Sequence, residues 1–416
     1  MDIYSDVRAL CESARRASKS IALANETQKN QLLQRLSELL CAESESIISA
    51  NALDLERAED NGVPKAMLDR LMLNGDRIKG IADSLISVAS LDDPIGKGEV
   101  WSRPSGITLR RIRVPLGVVG IIYEARPNVT VDSAALCLKT GNAVVLRGGK
   151  EAINTNKALV KVIKQALSEC GFDEGAVELI TSTDRESANA LMSMRGLVDV
   201  LIPRGGKGLI NACVQNSKVP VIETGAGNCH LYVDDFADLD KAIKVAFNAK
   251  CSRPSVCNAI ETVLVSACKA EAFLPMLKEE FDKYNVDIRG CERSRAILPT
   301  ISIATEADYE TEYDDYIVAL RVVDGIDEAI EHINKYSTGH SEAIITENMD
   351  NANRFGNEID SVAVYVNAST RFTDGGEFGF GAEIGISTQK LHVRGPMGLK
   401  ALTTEKYLIT GNGAIR

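Results

Sequence analysis

One cysteine of this chain lies in a short polar segment between a predicted amphipathic helix and a predicted apolar strand. The segment runs from Asn248 to Thr262, and in it Cys257 is followed by an asparagine and an alanine. A thiolate in such a loop can take up an acyl group as a thioester, which a nicotinamide cofactor can reduce to an aldehyde. The pattern predicts that Cys257 is a nucleophile beside a cofactor site.

The other cysteines do not indicate a metal site. Ten cysteines are spread along the chain without a CxxC pair. Structural zinc sites and disulfide frameworks both need more regular spacing, so we expect neither a bound metal nor disulfides. Taken alone, most of these thiols are typical of buried core residues.

Three glycine-containing turns follow predicted strands. They are Arg147-Gly-Gly-Lys150, Pro203-Arg-Gly-Gly-Lys207 and Glu223-Thr-Gly-Ala-Gly227. Ligands of parallel sheets bind beyond the carboxyl ends of the strands, and glycine lets the backbone N–H groups approach a phosphate. Neither Gly-Gly-Lys turn fits the phosphate-binding loop of nucleotide hydrolases, and no GxGxxG follows the first strand. Two basic turns in an acidic protein favour a nucleotide site, with a plain structural turn as the alternative for each.

The elements that position these residues alternate between strand and helix. After a helical N-terminal region, strands are predicted at 118–123, 143–147, 177–180, 198–202 and 219–222, with helices between them. The pattern restarts with a helix at 239–250 and continues through further strand–helix units. Such alternation predicts parallel sheets covered by helices on both faces. No flexible linker separates the halves, so we expect two doubly wound domains with a ligand-binding cleft between them.

Composition excludes several classes of protein. The chain has 416 residues, of which 45% are hydrophobic, and its formal net charge is −11. That charge, without any run of basic residues, argues against nucleic acid as a partner. The N-terminus lacks the apolar core of a signal peptide, and no later stretch is apolar enough for a membrane span. We therefore expect a cytoplasmic protein that does not enter a membrane.

The order of these motifs resembles the aldehyde dehydrogenase superfamily. Four blocks are most similar to its gamma-glutamyl phosphate reductase family: Tyr123-Glu-Ala-Arg-Pro-Asn128, Glu223-Thr-Gly-Ala-Gly-Asn-Cys-His230, Arg253-Pro-Ser-Val-Cys257-Asn-Ala and Val393-Arg-Gly-Pro-Met-Gly398. The resemblance implies an aldehyde dehydrogenase-like α/β fold with a cofactor domain (1–99 and 114–230), a catalytic domain (231–396) and an oligomerisation element (100–113 and 397–416). Within that element, segments 107–113 and 401–409 imply a homo-oligomer.

The activity that the resemblance implies is NADPH-dependent reduction of L-glutamate 5-phosphate to L-glutamate 5-semialdehyde, with release of phosphate, in proline biosynthesis. Cys257 corresponds to the family's nucleophile, because Cys-Asn-Ala followed by a strand reproduces the family's order. Cys251 is the rival thiol, but it lies where the preceding helix should end. The glutamate 5-kinase that makes the unstable acyl phosphate is a candidate partner.

The resemblance also implies the cofactor contacts. Arg147 takes the place of the residue that holds the adenine ribose, and Lys150 stands where NAD-preferring members often have an acid. A cation there favours the 2′-phosphate of NADPH. Arg204, Gly205 and Gly206 match the pyrophosphate turn, and Glu312 matches the carboxylate that holds the nicotinamide ribose.

The resemblance identifies the catalytic and substrate-binding residues less completely. Glu223 aligns with the general base of hydrolytic members, although an acyl phosphate reductase needs no water. The superfamily's oxyanion-binding asparagine falls near Arg126 and Asn128, so the donor stays open. A substrate with two anionic groups needs cations, and the candidates are Arg126, Arg253 and Arg371, with Ser369 and Thr370 beside the last.

Three alternatives remain open from the sequence. An NAD(P)-dependent semialdehyde dehydrogenase would use water as the acyl acceptor, with Glu223 as base. A thiol acyltransferase or hydrolase would use Cys257 without any nucleotide, and would leave the basic turns without a purpose. A noncatalytic scaffold would retain the thiol only by coincidence.

Overall fold

The computed structural model describes residues 2–63 and 65–416, and the chain divides into two compact units. The first unit contains Met1–Thr224, Gly379–Gly385 and Met397–Arg416, and the second contains Gly225–Phe378 and Ile386–Pro396. The first unit's main segment ends at Thr224, whereas the sequence predicted a domain limit at residue 230. Residue 230 lies within a strand of the second unit. In the described part of the chain, no helix has both the length and the apolar character needed to cross a membrane.

Three helices of the first unit begin at residues whose side chains cap them. Asp2 and Asn74 each accept a backbone N–H at the start of a helix, and Asn25 forms a capping box with Gln28. The helices are α1 (Ile3–Ile21), α2 (Glu26–Ala42), α3 (Ser44–Asp60), α4 (Lys65–Leu71), α5 (Gly75–Ser90), α6 (Asn128–Lys139), α7 (Ile153–Glu169), α8 (Arg185–Met192) and α9 (Lys207–Asn216).

The sheet of the first unit is parallel and doubly wound. The strands of this part of the chain are β1 (Gly98–Ser102), β2 (Thr108–Pro115), β3 (Val118–Tyr123), β4 (Ala143–Arg147), β5 (Val177–Leu179) and β6 (Val200–Arg204). The sheet order is β5-β4-β3-β6, all parallel, so the chain reverses direction across the sheet beside the wholly buried β3. Ligands favour such a switch point.

The strand expected at 219–222 is reduced to a single bridge between Leu201 and Val221. The neighbouring Pro220 has no N–H to donate, so it cannot continue a ladder. Its carbonyl group still accepts a hydrogen bond from the Leu201 N–H.

The second unit is built around a seven-stranded parallel sheet. Its helices are α10 (Leu239–Cys251), α11 (Ala267–Asp282), α12 (Glu292–Ile297), α13 (Glu306–Tyr309), α14 (Ile326–Tyr336) and α15 (Met349–Glu358). Its strands are β7 (Cys229–Val233), β8 (Ile260–Ser266), β9 (Asp287–Gly290), β10 (Ser302–Ile303), β11 (Ile317–Val323), β12 (Ser341–Ile345), β13 (Ala363–Val366), β14 (Ile386–Ser387) and β15 (Gly395–Pro396). The sheet order is β10-β9-β11-β8-β7-β12-β13.

Helices cover both faces of this sheet. Leu231 packs into one core cluster and its neighbour Tyr232 into another, because successive side chains of a strand point to opposite faces. The first cluster includes residues of α10 and α11, and the second includes residues of α14 and α15. The sequence pattern therefore predicted the layered arrangement of this unit correctly.

A small antiparallel sheet completes the first unit. Strand β16 (Thr403–Thr410) pairs with β2, whose other edge pairs with β1. The expected segments 107–113 and 401–409 thus lie side by side within one chain. Strand β16 is an edge strand, and its Tyr407 and Ile409 side chains are exposed.

Candidate active site

Cys257 lies in a tight turn between α10 and β8. The N–H of Ala259 donates to the carbonyl oxygen of Val256 at 2.9 Å, which closes a β-turn around Cys257 and Asn258. Cys257 is half-buried, and the turn lies at the amino end of β8, one of the central strands. The structure therefore places Cys257, partly exposed, in a turn closed by a backbone hydrogen bond.

The rival thiol has a different environment. Cys251 forms the last residue of α10, is only 3% exposed and belongs to the core of the second unit. Burial raises the pKa of the Cys251 thiol to about 11. Since a nucleophilic cysteine must be both ionised and accessible, Cys251 is unsuited to that role.

A glycine lies directly against the Cys257 backbone. A Cβ atom on Gly227 would overlap the carbonyl group of Cys257, so no larger residue fits without moving the turn. The N–H of Gly227 donates to Oε1 of Glu312 at 2.7 Å. Gly227 thus contacts both the Cys257 turn and Glu312, the residue predicted to hold the nicotinamide ribose.

Arg371 packs beside the same turn. Its guanidinium group donates to the side chain of Asn258 and, through Nε, to Ser252 Oγ at 3.2 Å. Burial lowers the pKa of Arg371, as does the neighbouring charge of Arg253, whereas Cys257 opposes the shift. Arg371 is therefore close enough to both Arg253 and Cys257 for their charges to interact with its own.

The residues before Arg371 have buried side chains. Thr370 is 0% exposed, and its hydroxyl group donates to the carbonyl oxygen of Asn258 at 2.6 Å. Ser369 is 5% exposed and accepts the N–H of Arg371 at 3.3 Å. In this structure, both hydroxyl groups hold the turn and Arg371 in place.

A buried ion pair joins the two ends of the Cys257 loop. Nζ of Lys250, near the end of α10, lies 2.6 Å from Oε2 of Glu261, near the start of β8. The two side chains are 0% and 1% exposed. Burial raises the pKa of Glu261; Lys250 opposes this shift, and the carboxylates of Asp314 and Glu312 add to it. Lys250 is thus the buried counter-charge of Glu261.

The first unit carries the predicted pyrophosphate turn. Gly205 and Gly206 follow β6 and precede α9, so their backbone lies at the positive end of a helix. The carboxylate of Glu124 reaches this turn, where Oε2 accepts the N–H of Gly206 at 3.1 Å. A Cβ on Gly205 would overlap the Glu124 side chain, so a larger residue at 205 would displace this carboxylate.

The two basic residues after β4 differ in their contacts. The Arg147 guanidinium group donates to the carbonyl oxygens of Thr183 and Asp184 at 2.9 and 3.1 Å, so it braces the turn before α8. Lys150 is exposed at the start of the short helical turn that leads into α7.

Around the start of α6, the structure adds an acid that sequence reasoning missed. Nδ2 of Asn128 donates to Oδ2 of Asp132 at 3.0 Å. Burial raises the pKa of Asp132 to about 6, and Asn128 and Arg204 oppose the shift. Arg126 is half-buried just before this helix, and Glu223 is half-buried near the end of the first unit's main segment.

Five residues with notable contacts were not predicted: Glu124 and Asp132 in the first unit, and Cys229, Lys250 and Glu261 in the second. Glu124 lies within the block Tyr123–Asn128, and this position was a sign in the sequence that it could contribute to the site. Lys250 and Glu261 are separated by 11 positions across a turn, and no periodicity connects them. Among the described residues, no group of three or more His, Cys, Asp or Glu side chains could hold a metal ion.

The chain is similar over its full length to proteins of known family. A model of the aldehyde dehydrogenase family matches residues 3–311 and 291–391. The gamma-glutamyl phosphate reductase of Halothermothrix orenii is 55% identical over 100% of both chains, and that of Clostridium acetobutylicum is 54% identical over the same share. The crystal structure of the Thermotoga maritima gamma-glutamyl phosphate reductase matches with a TM-score of 0.96 at 49% identity, covering 99% of each chain.

A more distant structure shows the fold alone. An acetylating aldehyde dehydrogenase of Geobacillus thermoglucosidasius matches with a TM-score of 0.72 at 17% identity, over 100% of this chain and 98% of its own. The expected aldehyde dehydrogenase-like α/β fold is confirmed. The chain belongs to the aldehyde dehydrogenase family and, within it, to the gamma-glutamyl phosphate reductases.

Proposed function

We propose that this chain catalyses the NADPH-dependent reduction of L-glutamate 5-phosphate to L-glutamate 5-semialdehyde, with release of phosphate, in proline biosynthesis. The observation that carries the proposal is full-length identity of 54–55% to proteins named for this reaction. The accessible Cys257 turn, with two guanidinium groups nearby, supports it.

The chemistry begins at Cys257. Its thiolate attacks the acyl carbon, the S–C bond forms, and phosphate leaves with the electrons of the C–O bond to give a thioester. When bound, NADPH supplies the hydride that reduces this thioester. The resulting thiohemiacetal then breaks its C–S bond, which releases the aldehyde and restores the thiolate.

The cations near the thiol suit the substrate. We assign Arg253 and Arg371 to its anionic groups, and Arg126 remains a further candidate. Positive charge there also favours the thiolate form of Cys257. Glu223 would shape the nicotinamide pocket or move protons, because a reaction that releases phosphate has no water to activate.

The first unit offers groups that fit a dinucleotide. The N–H of Gly206 already binds a carboxylate oxygen, so this turn accepts anions of the kind that a pyrophosphate presents. Arg204, Gly205 and Gly206 would hold the pyrophosphate, and Glu312 would accept hydrogen bonds from the nicotinamide ribose. Arg147 would border the adenine ribose while it braces the turn before α8.

Lys150 should set the preference for NADPH over NADH. Replacing it with alanine removes the cation that would meet the 2′-phosphate, and a charge-assisted hydrogen bond is worth about 1.5–3 kcal/mol, or about 10–100-fold in kcat/KM. We expect the NADPH:NADH ratio of kcat/KM to fall by this factor. Steady-state kinetics with both cofactors measures it.

Lys207→Ala is the matched control, because this lysine begins α9 beside the proposed pyrophosphate turn and would meet a group common to both cofactors. Its effect should be equal for NADPH and NADH. An unchanged ratio in Lys150→Ala would contradict the assignment.

Phosphate dependence tests the proposed reaction in the oxidative direction. The wild-type enzyme should reduce NADP with glutamate 5-semialdehyde only when phosphate is present, since phosphate must take the acyl group from Cys257. Absorbance of NADPH follows the reaction. Equal rates without phosphate would favour the semialdehyde dehydrogenase that uses water, with Glu223 as its base.

We also propose that the chain forms homo-oligomers through β16, since this edge strand presents unpaired backbone groups and exposed apolar side chains. Docking of glutamate 5-kinase is proposed on chemical grounds, because the acyl phosphate is unstable in water.

A further inference from the structure

Asp54 of α3 is a buried carboxylate that caps a different helix. It is 1% exposed, and both of its oxygens accept hydrogen bonds from the start of α7. Oδ1 accepts the backbone N–H and the side-chain Nδ2 of Asn154 at 3.2 and 2.9 Å, and Oδ2 accepts the N–H and Oγ1 of Thr155 at 2.7 and 2.6 Å. The residue before α7, Ala152, has no side-chain acceptor. Asp54 therefore supplies from α3 the cap that α7 lacks in its own sequence.

This contact decides what the start of α7 can bind. The donors to Asp54 are all neutral, so the positive end of α7 is the charge that stabilises the buried carboxylate. Ile153, Thr155 and Asn156 are buried as well. A free helix N-terminus binds phosphate, but this one is already occupied by a carboxylate. A cofactor phosphate near the turn before α7 would therefore depend on side-chain cations such as Lys150.

Lys150 is connected to the Asp54 contact by a short helical segment. It begins the helical turn Lys150–Ala152, and α7 follows directly. Ala152 is 0% exposed and packs in a small cluster with Ala58 of α3 and Leu71 of α4. The backbone that carries Lys150 is thus attached to α3 at two neighbouring points, Ala152 and the residues bound to Asp54.

On the basis of the proposed cofactor assignment, we propose that Asp54 is the positioning residue for Lys150 and so contributes to the preference for a dinucleotide with a 2′-phosphate. Its carboxylate fixes the first turn of α7 to α3, which gives the backbone of Lys150 one position. A lysine side chain is long and flexible, so a fixed backbone limits where its ammonium group can lie. Only the 2′-phosphorylated dinucleotide has a group for that ammonium, so Asp54 acts on this cofactor alone.

Asp54→Asn tests the proposal with little change in side-chain size. An asparagine accepts hydrogen bonds on one side only and turns an NH₂ group toward donors of Asn154 or Thr155. We expect the Kd of NADP to rise by about 10-fold, the lower end of what loss of a charge-assisted hydrogen bond costs. The Kd of NAD should stay nearly unchanged. Isothermal titration calorimetry measures both without turnover. Equal weakening of both dinucleotides would mean that Asp54 only supports the fold, which would overturn the proposal.

The double variant Asp54→Asn/Lys150→Ala tests whether Asp54 acts through Lys150. Its ratio of the two Kd values should equal that of Lys150→Ala alone, because a positioning residue has no effect once the group that it positions is absent. A further change in the ratio would contradict the proposed route. Asn154→Ala removes one donor to Asp54 and should cause a smaller selective loss, so it provides the same test if Asp54→Asn does not fold.

The matched control is Asp234→Asn in the second unit. Asp234 is 0% exposed and also accepts from neutral donors, Thr346 Oγ1 at 2.6 Å and Asn351 Nδ2 at 2.9 Å. This variant should lose stability without changing the ratio of Kd values; a changed ratio would show that the effect is not specific to Asp54. If Lys150→Ala lowers the preference for NADP and Asp54→Asn does not, the positioning role is wrong and the cofactor assignment stands. An unchanged ratio in Lys150→Ala would overturn both.

Discussion

Replacing Cys257 with serine should lower the phosphate-dependent reduction of NADP by about 10⁴-fold or more. A serine hydroxyl group remains protonated at neutral pH and is a much weaker nucleophile than a thiolate. The thioester then cannot form, although cofactor binding should be retained. Steady-state rates together with a fluorescence titration of NADPH measure the two properties separately.

Cys251→Ser is the matched control for this prediction. It changes the other cysteine of the same segment, which is buried in the core and carries a raised pKa. Turnover should persist in this variant, with some loss of stability from a hydroxyl group placed in an apolar cluster. Retained turnover in Cys257→Ser together with its loss in Cys251→Ser would reverse the assignment of the nucleophile.

Replacing Glu261 with leucine should lower the free energy of unfolding by about 3–5 kcal/mol, because it leaves Lys250 charged, buried and unpaired. The two side chains are almost wholly buried and join the ends of the Cys257 loop. The double variant Lys250→Met/Glu261→Leu should recover most of this loss, since it removes both charges and fills the space with apolar atoms. Urea unfolding of the three proteins gives the comparison.

The exposed pair of Lys241 and Glu347 provides the control. These side chains are 50% and 53% exposed and lie 2.8 Å apart. Glu347→Leu should leave the free energy of unfolding nearly unchanged, since solvent screens an exposed pair. If Glu261→Leu cost no more than Glu347→Leu, the buried pair would not hold the second unit together.

The periodicity of apolar residues in the sequence was sufficient to predict the layered fold. The run from Val118 to Tyr123 is apolar throughout, and the strand it forms is buried throughout because helices cover both faces of a parallel sheet. Pattern reasoning was wrong at 219–222, where the apolar residues resemble a strand but Pro220 interrupts the ladder. A pattern of hydrophobicity does not record which backbone donors are available.

For two candidate site residues, the residue type suggested a ligand contact, but the structure shows a contact within the protein. Arg147 has the charge expected of a cofactor ligand, yet its donors are used on the carbonyl oxygens of Thr183 and Asp184. Thr370 follows a strand end, where polar residues often meet ligands, yet its hydroxyl group is buried against Asn258. These partners are distant in sequence, so only the folded chain brings them within hydrogen-bond distance.

The sequence by itself determined the fold class, the family and the candidate nucleophile, because hydrophobic periodicity and motif order are properties of neighbouring residues. Only the tertiary structure decided how the thiol is held: Cys229 and Gly227 under the Cys257 carbonyl group, and Lys250 paired with Glu261 beneath the loop. These contacts join residues of strands β7 and β8, helix α10 and the turns beside them. Burial and hydrogen-bond direction, which decide what such groups can do, arise only when these elements pack together.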